Sequence, residues 1–213
     1  MPWTRVLAVA GPAVVLAGLG LTHPQDLTAA SASWWTTLHV VLLPIFPLLA
    51  VSVWLLLRGV PGPVAWGARA AANGYATFYT VTDVLAGIGA GELTRRAGEQ
   101  GVPEGTVQVD TLFSVGNELG TIGVWCFAVA CAATALALVV QIGRRALPGA
   151  MVLLVGAVLF TGGFHIYWPN GVVNMLVLAV GFGLLGATPA RSAPRGSQVG
   201  EEDHSSVRSH SKH

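Results

Sequence analysis

Charge is what this chain has least of. Only 10% of its 213 residues are Asp, Glu, Lys or Arg, against roughly 25% in an ordinary soluble domain. The formal net charge is +1, and Lys212 is the one lysine among eleven basic residues, so the basic footprint that nucleic acid demands is missing. Cysteine is nearly absent too. Cys126 and Cys131 stand five residues apart in one apolar segment, on different sides of a helix. That spacing excludes a disulfide between them and leaves two small buried hydrophobes. Walker, Rossmann and CxxC motifs are lacking, and Ser114 has no GxSxG-like surroundings. No internal repeat of the kind that builds inverted-repeat transporters is evident.

What fills the chain instead is apolar sequence: 53% hydrophobic residues and a mean hydropathy of +0.65. Six apolar segments, at 4–21, 35–57, 65–90, 116–141, 147–164 and 171–187, approach or exceed the roughly 17–25 residues that cross a bilayer. The expected fold is therefore all-α, a polytopic bundle of six transmembrane helices forming one domain over 1–187. Arg5, Arg58, Arg69, Arg144, Arg145, Arg191, Arg195, Arg208 and Lys212 alternate onto one side of such a bundle; only Arg95 and Arg96 fall on the other. The positive-inside rule makes the first side cytoplasmic, with both termini in. The expected location is the plasma membrane of a bacterium, with the lipid bilayer as the main partner.

The first segment also resembles a leader, with Arg5, an apolar run over 6–21 and Ala30-Ser31-Ala32 downstream. That triplet lies about ten residues past the run, too far for the usual arrangement, so an uncleaved helix is expected. Pro44 and Pro47 should kink the second segment. Small residues cluster at Ala68, Ala72 and Ala76, at Gly116 and Gly120, and at Gly181 and Gly183. Such spacing favours close helix packing, within the bundle or in a homo-oligomer. The largest outer loop, 92–115, contains a turn at Val102-Pro103-Glu104-Gly105, and its alternating 106–113 stretch reads as a short strand or an interfacial segment. The tail 188–213, rich in Ser, Gly, Arg and His, reads as disordered and cytoplasmic. It carries His204, His210 and His213, which are expected to be solvated.

The polar residues inside the apolar segments point to a site. Asp83 lies well within the third segment, where a carboxylate costs at least about 2.5 kcal/mol without a partner. Tyr75, Tyr79 and Asp83 recur at i, i+4, i+8 with Thr80 beside them. By topology Asp83 is about 12 Å from the outer end of its helix. At the same level come His39 (under Trp34 and Trp35, which read as an interfacial belt), Asn117 and Glu118 at the start of the fourth segment, His165 and Tyr167 after the fifth, and His23 in the first loop. His23, His39, Asp83, Glu118 and His165 are thus the candidate ligands, supported by Tyr79, Thr80, Asn117 and Tyr167. Imidazoles with a carboxylate suit zinc first, then iron or manganese, and such an ion would activate water for hydrolysis at the outer leaflet. Haem between His39 and His165 has no paired-histidine spacing behind it. A proton- or cation-coupled transporter is the competing class, but it calls for polar groups reaching both faces, and Asn73 is the main one in the inner halves. A structural membrane protein, in which the cluster only locks the fold, needs no chemistry.

Overall fold

Every regular element among the described residues is helical. The computed structural model describes residues 2–103, 105–162 and 165–188. Helix α1 spans Pro2–Gly20, α2 Ala32–Ile45 and α3 Pro47–Leu56. Pro44 and Pro47 have no N–H for the carbonyls of Val40 and Leu43, and the expected kink takes the form of a break at Phe46. Helix α4, Pro63–Thr82, has proline at its start, where a missing N–H costs nothing. It passes directly into a π-helical segment, Asp83–Gly89, and then into α5, Ala90–Glu99. Helix α6 runs from Val107 to Ile142, and a 3-10 turn, Gly143–Ala146, joins it to α7, Leu147–Phe160; α8 is Asn170–Ala187. Gly143 turns with φ +79°, a left-handed conformation that glycine adopts without strain.

Two expectations need correction here. The 106–113 stretch is not a strand. The Thr106 hydroxyl accepts the Val109 N–H at 3.4 Å and caps α6, so the alternating residues form its first turns. The third helix does not stop near 90 but continues through the π segment to Glu99. The tail beyond Thr188 lies outside the described residues.

Among the described residues four stretches are long and apolar enough to cross a membrane: Trp3–Gly20, Ala32–Leu56, Val107–Phe160 and Asn170–Ala187. This is the make-up of a membrane-embedded protein. The count differs from six for two reasons. The fourth and fifth expected spans belong to one apolar run divided by the 3-10 turn, and the 65–90 span, diluted by Arg69, Asn73, the tyrosines and Asp83, is not among the four.

Packing relies on small residues inside the chain. A Cβ on Gly123 would lie 2.9 Å from the Tyr79 nitrogen, and one on Gly116 3.1 Å from the Ala86 Cβ, so α6 presses directly on α4 and the π segment. Gly181 makes the same approach to Leu153. Arg69 is not a loop charge. It is only 8% exposed, donates through Nη2 to the carbonyls of Leu57 (2.6 Å) and Val60 (3.2 Å), and lies over the rings of Trp54 and Trp66. It thereby adds a side-chain donor to the carbonyls just past the end of α3, of which that of Leu57 also accepts the Val60 N–H at 2.9 Å.

The opposite end of the bundle is held by loops and by an ion-pair cluster on α5. Gln25 Nε2 donates to the Trp168 carbonyl at 2.8 Å, and Trp34 Nε1 to that of Thr22 at 2.8 Å. Glu92 accepts from Arg95 (2.8 Å) and Arg96 (2.6 Å), and Arg95 also reaches Glu99. These hydrogen bonds hold the Glu92 carboxyl at about 2, below its ordinary 4.5. The pKa is depressed on folding, so the contribution is complete above about 4.5 and fades as pH falls towards 2. Amide hydrogen exchange over 90–99 should accelerate, beyond the intrinsic pH effect, across that window in the wild type. In Glu92→Gln it should already be fast at pH 6, and equal protection in the two proteins would show that the cluster does not hold α5.

Candidate functional site

Three histidines from separate elements meet at the loop-rich end: His23 from the α1–α2 loop, His39 from the middle of α2 and His165 from the α7–α8 loop. One ring nitrogen of each lies within 4.8 Å of those of the other two. His23 is edge-on to His39 (5.1 Å) and His165 (5.3 Å), while His39 and His165 stack at 5.4 Å with their planes 9° apart. Two imidazoles stacked face to face leave no room for a porphyrin between them, so that arrangement is excluded by geometry.

The hydrogen bonds fix how these rings present themselves. His23 Nδ1 lies 2.7 Å from the Pro24 carbonyl and His39 Nδ1 2.8 Å from the Trp35 carbonyl. A carbonyl only accepts, so both rings carry their proton on Nδ1 and keep a lone pair on Nε2. His165 Nδ1 is likewise engaged, at 2.7 Å from the Tyr79 hydroxyl. The Nε2 atoms of His23 and His165 are buried and have no hydrogen-bond partner among the described residues. Burial pushes the His23 imidazole below its ordinary 6.5, against the pull of the Pro24 carbonyl, which keeps it in the neutral, ligating form.

Asp83 completes the group. It is 1% exposed, its Oδ1 stands 3.9 Å from His165 Nε2, and neither carboxylate oxygen accepts a hydrogen bond from a described residue. A buried carboxylate of this kind is stable only if it is neutralised or pairs with a cation. The π-helical segment sets its position. Within the π segment Asp83–Gly89 the Ala86 carbonyl accepts from Trp35 Nε1 at 3.2 Å, and Gly87 has no side chain where a Cβ would overlap the His39 ring.

The candidate set divides cleanly. His23, His39, Asp83 and His165 come together; Tyr79 bonds to His165, and Tyr167 packs 4.4 Å from His23. Asn117 lines the adjoining cavity of about 350 Å³. Glu118 is a correction: it is exposed and does not line the cavity, because one residue along α6 turns it about 100° away from Asn117. Thr80 is another, since its hydroxyl donates to the Ala76 carbonyl of its own helix at 2.6 Å. Trp35 is no interfacial residue. It is 2% exposed and stacks on His39 at 5.1 Å, while Trp34 alone stays at the surface. Sequence reasoning missed Trp35, Thr82, Gly87 and Phe113 as cavity residues. The glycines at 87, 89 and 91 were the available hint of an unusual helix.

Beneath the cluster the core is aromatic. Tyr75, Phe127 and Phe160 are fully buried, with ring centroids 4.8 Å (Tyr75–Phe127) and 5.6 Å (Phe127–Phe160) apart. Asn73 is exposed on α4, beyond this layer. Comparison of the chain with protein-family models, with characterised proteins and with solved structures finds no match in any of the three.

Proposed function

We propose that this is a six-span protein of the cell membrane, both ends cytoplasmic, whose His23, His39 and His165 bind one divalent metal ion with Asp83 beside it, on the extracytoplasmic side. The observation that carries the reading is the shared pattern of the rings: three imidazoles from three elements engage Nδ1 and converge, next to a buried carboxylate without a partner. An Nδ1–H held by a carbonyl is the arrangement that orients a ligating histidine. Zinc is the first choice, because three histidines and one open position are a recurrent catalytic zinc set. Metal–nitrogen bonds of about 2.0–2.1 Å put tetrahedral ligand nitrogens about 3.3 Å apart, so the rings need to close by up to about 1.5 Å.

The topology rests on the side to which the basic residues fall, and it treats the 3-10 turn as a cytoplasmic hairpin and 63–90 as a span carrying the site. The chemistry that fits is hydrolysis. His23, His39 and His165 would hold the ion, which would supply an activated water; Asp83 is placed to take that water's proton and return it to the leaving group as the oxygen adds to a substrate carbonyl. Against transport speaks the packing of the buried aromatic rings of Tyr75, Phe127 and Phe160 beside the cluster, where a pathway would call for polar side chains.

Elemental analysis of the detergent-purified protein tests the metal reading. The wild type should hold close to one zinc, iron or manganese per chain, and His39→Ala and Asp83→Ala should hold far less while keeping their helical content. A wild type that stays metal-free after dialysis against zinc, with its fold intact, would overturn it.

A further inference from the structure

The cavity beside the cluster opens on the flank of α6. Asn117, Thr121 and Trp125, at i, i+4, i+8, all line it and all are exposed, Trp125 to 59%. They form a mouth about 12 Å long in a stretch apolar enough to lie in a bilayer. Its polarity changes along its length. Along α6 the lining runs from Asn117 and Thr121 to Val124 and Trp125, and Phe160 and Thr161 line the cavity from the end of α7. Among the described residues no lysine or arginine lines the cavity, whose ionisable side chains are Asp83, two of the histidines, Tyr79 and Tyr167. A phosphate head would face Asp83 with no basic side chain to pair with.

We propose that the ligand of this cavity is a neutral acyl ester lipid that enters sideways from the membrane, its carbonyl directed at the histidine–aspartate cluster and its chain lying along Val124 and Trp125. The carbonyl end rests on the metal reading above; the lateral route rests on the mouth alone. At about 350 Å³ the cavity is near the lower end for small-molecule sites, enough for the ester and the first part of a chain, with the remainder left in the bilayer. Trp125 then marks the chain, and Thr121 lies between Asn117 and Trp125 on the same face of α6, where a larger side chain would obstruct the mouth.

The test uses the full chain in nanodiscs of a neutral phospholipid, titrated with monoacylglycerol carrying a dibrominated chain, which quenches nearby indoles. The Trp125 signal is the difference between wild type and Trp125→Phe. We expect that signal to be quenched saturably at a low mole fraction of probe, and Thr121→Phe to shift the midpoint at least fivefold upward with metal content unchanged. A difference signal that only rises in proportion to probe, as for bulk lipid, or a midpoint that Thr121→Phe leaves in place, overturns the lateral route. The two readings fail separately. A metal-free wild type with saturable quenching refutes the metal and keeps the lipid site, and a metal-loaded protein without saturable quenching does the reverse.

Discussion

Asp83→Asn is expected to raise the melting temperature of the metal-free protein and to abolish most of the rise that zinc gives the wild type. The opposite signs come from one carboxylate. Without metal, both Asp83 oxygens are buried and accept nothing, and His165 Nε2, 3.9 Å away, is buried and unpartnered as well. Each such group costs on the order of 1–3 kcal/mol. An asparagine amide has nearly the same volume, carries no charge, and can pair with that nitrogen after a small rotation, its nitrogen donating or its oxygen accepting according to the His165 tautomer, so one substitution relieves both groups. With metal the balance reverses. A ligand that binds only the folded state adds about 2.7 kcal/mol at a hundred times its dissociation constant. Asparagine removes the negative charge that helps hold a cation beside three neutral imidazoles. The check is thermal unfolding in detergent, in chelator and in excess zinc, for wild type, Asp83→Asn and His39→Ala. His39→Ala should lose the zinc effect without the gain in chelator. If Asp83→Asn melts lower than wild type in chelator and zinc moves neither protein, Asp83 is a structural hydrogen-bonding residue and the metal reading is wrong.

How far this site was legible in sequence depends on which coordinate is asked for. Depth along a helix follows from counting residues, at 1.5 Å each, and depth alone brings His23, His39, Asp83 and His165 to one level. Angle about the helix axis does not follow from counting where no clear polar stripe marks a face. Glu118 has the right depth and the wrong angle, and it ends exposed next to Asn117, which lines the cavity. Trp35 and Trp34 are also neighbours at one depth, and only the fold decides that Trp35 turns inward to stack on His39. The break in the second segment was readable because it has a local cause, Pro44 and Pro47. The π segment was not, because its slipped hydrogen bonds answer to tertiary partners: the His39 ring against Gly87, and the Trp35 indole on the Ala86 carbonyl. The 106–113 stretch alternates like a strand, yet its Thr106 cap and the long apolar run behind it make it helix.

The same dependence on tertiary fit makes a glycine far from any ligand a strong lever on the site. Gly123→Ala should destabilise the protein and weaken metal binding about tenfold, although Gly123 is not among the cavity-lining residues. A Cβ there would lie 2.9 Å from the Tyr79 nitrogen and 3.3 Å from its Cα, and backbone cannot move aside as a side-chain tip can. Helices α4 and α6 must separate, with strain of about 1–3 kcal/mol. Alanine returns up to about 1 kcal/mol of helix propensity, so a net loss remains. The shift falls on Tyr79, whose hydroxyl stands 2.7 Å from His165 Nδ1 and orients that ring; loss of such support typically costs about 10–100-fold in metal affinity. Gly67, on the same α4, has nothing within 4 Å of where a methyl group would stand, so Gly67→Ala gains the propensity without the strain and serves as the control. Thermal unfolding in chelator reads the first effect and zinc titration the second. A Gly123→Ala protein as stable as wild type would mean that α4 and α6 are not in contact there. One that is destabilised but binds zinc with undiminished affinity would mean that Tyr79 does not position His165.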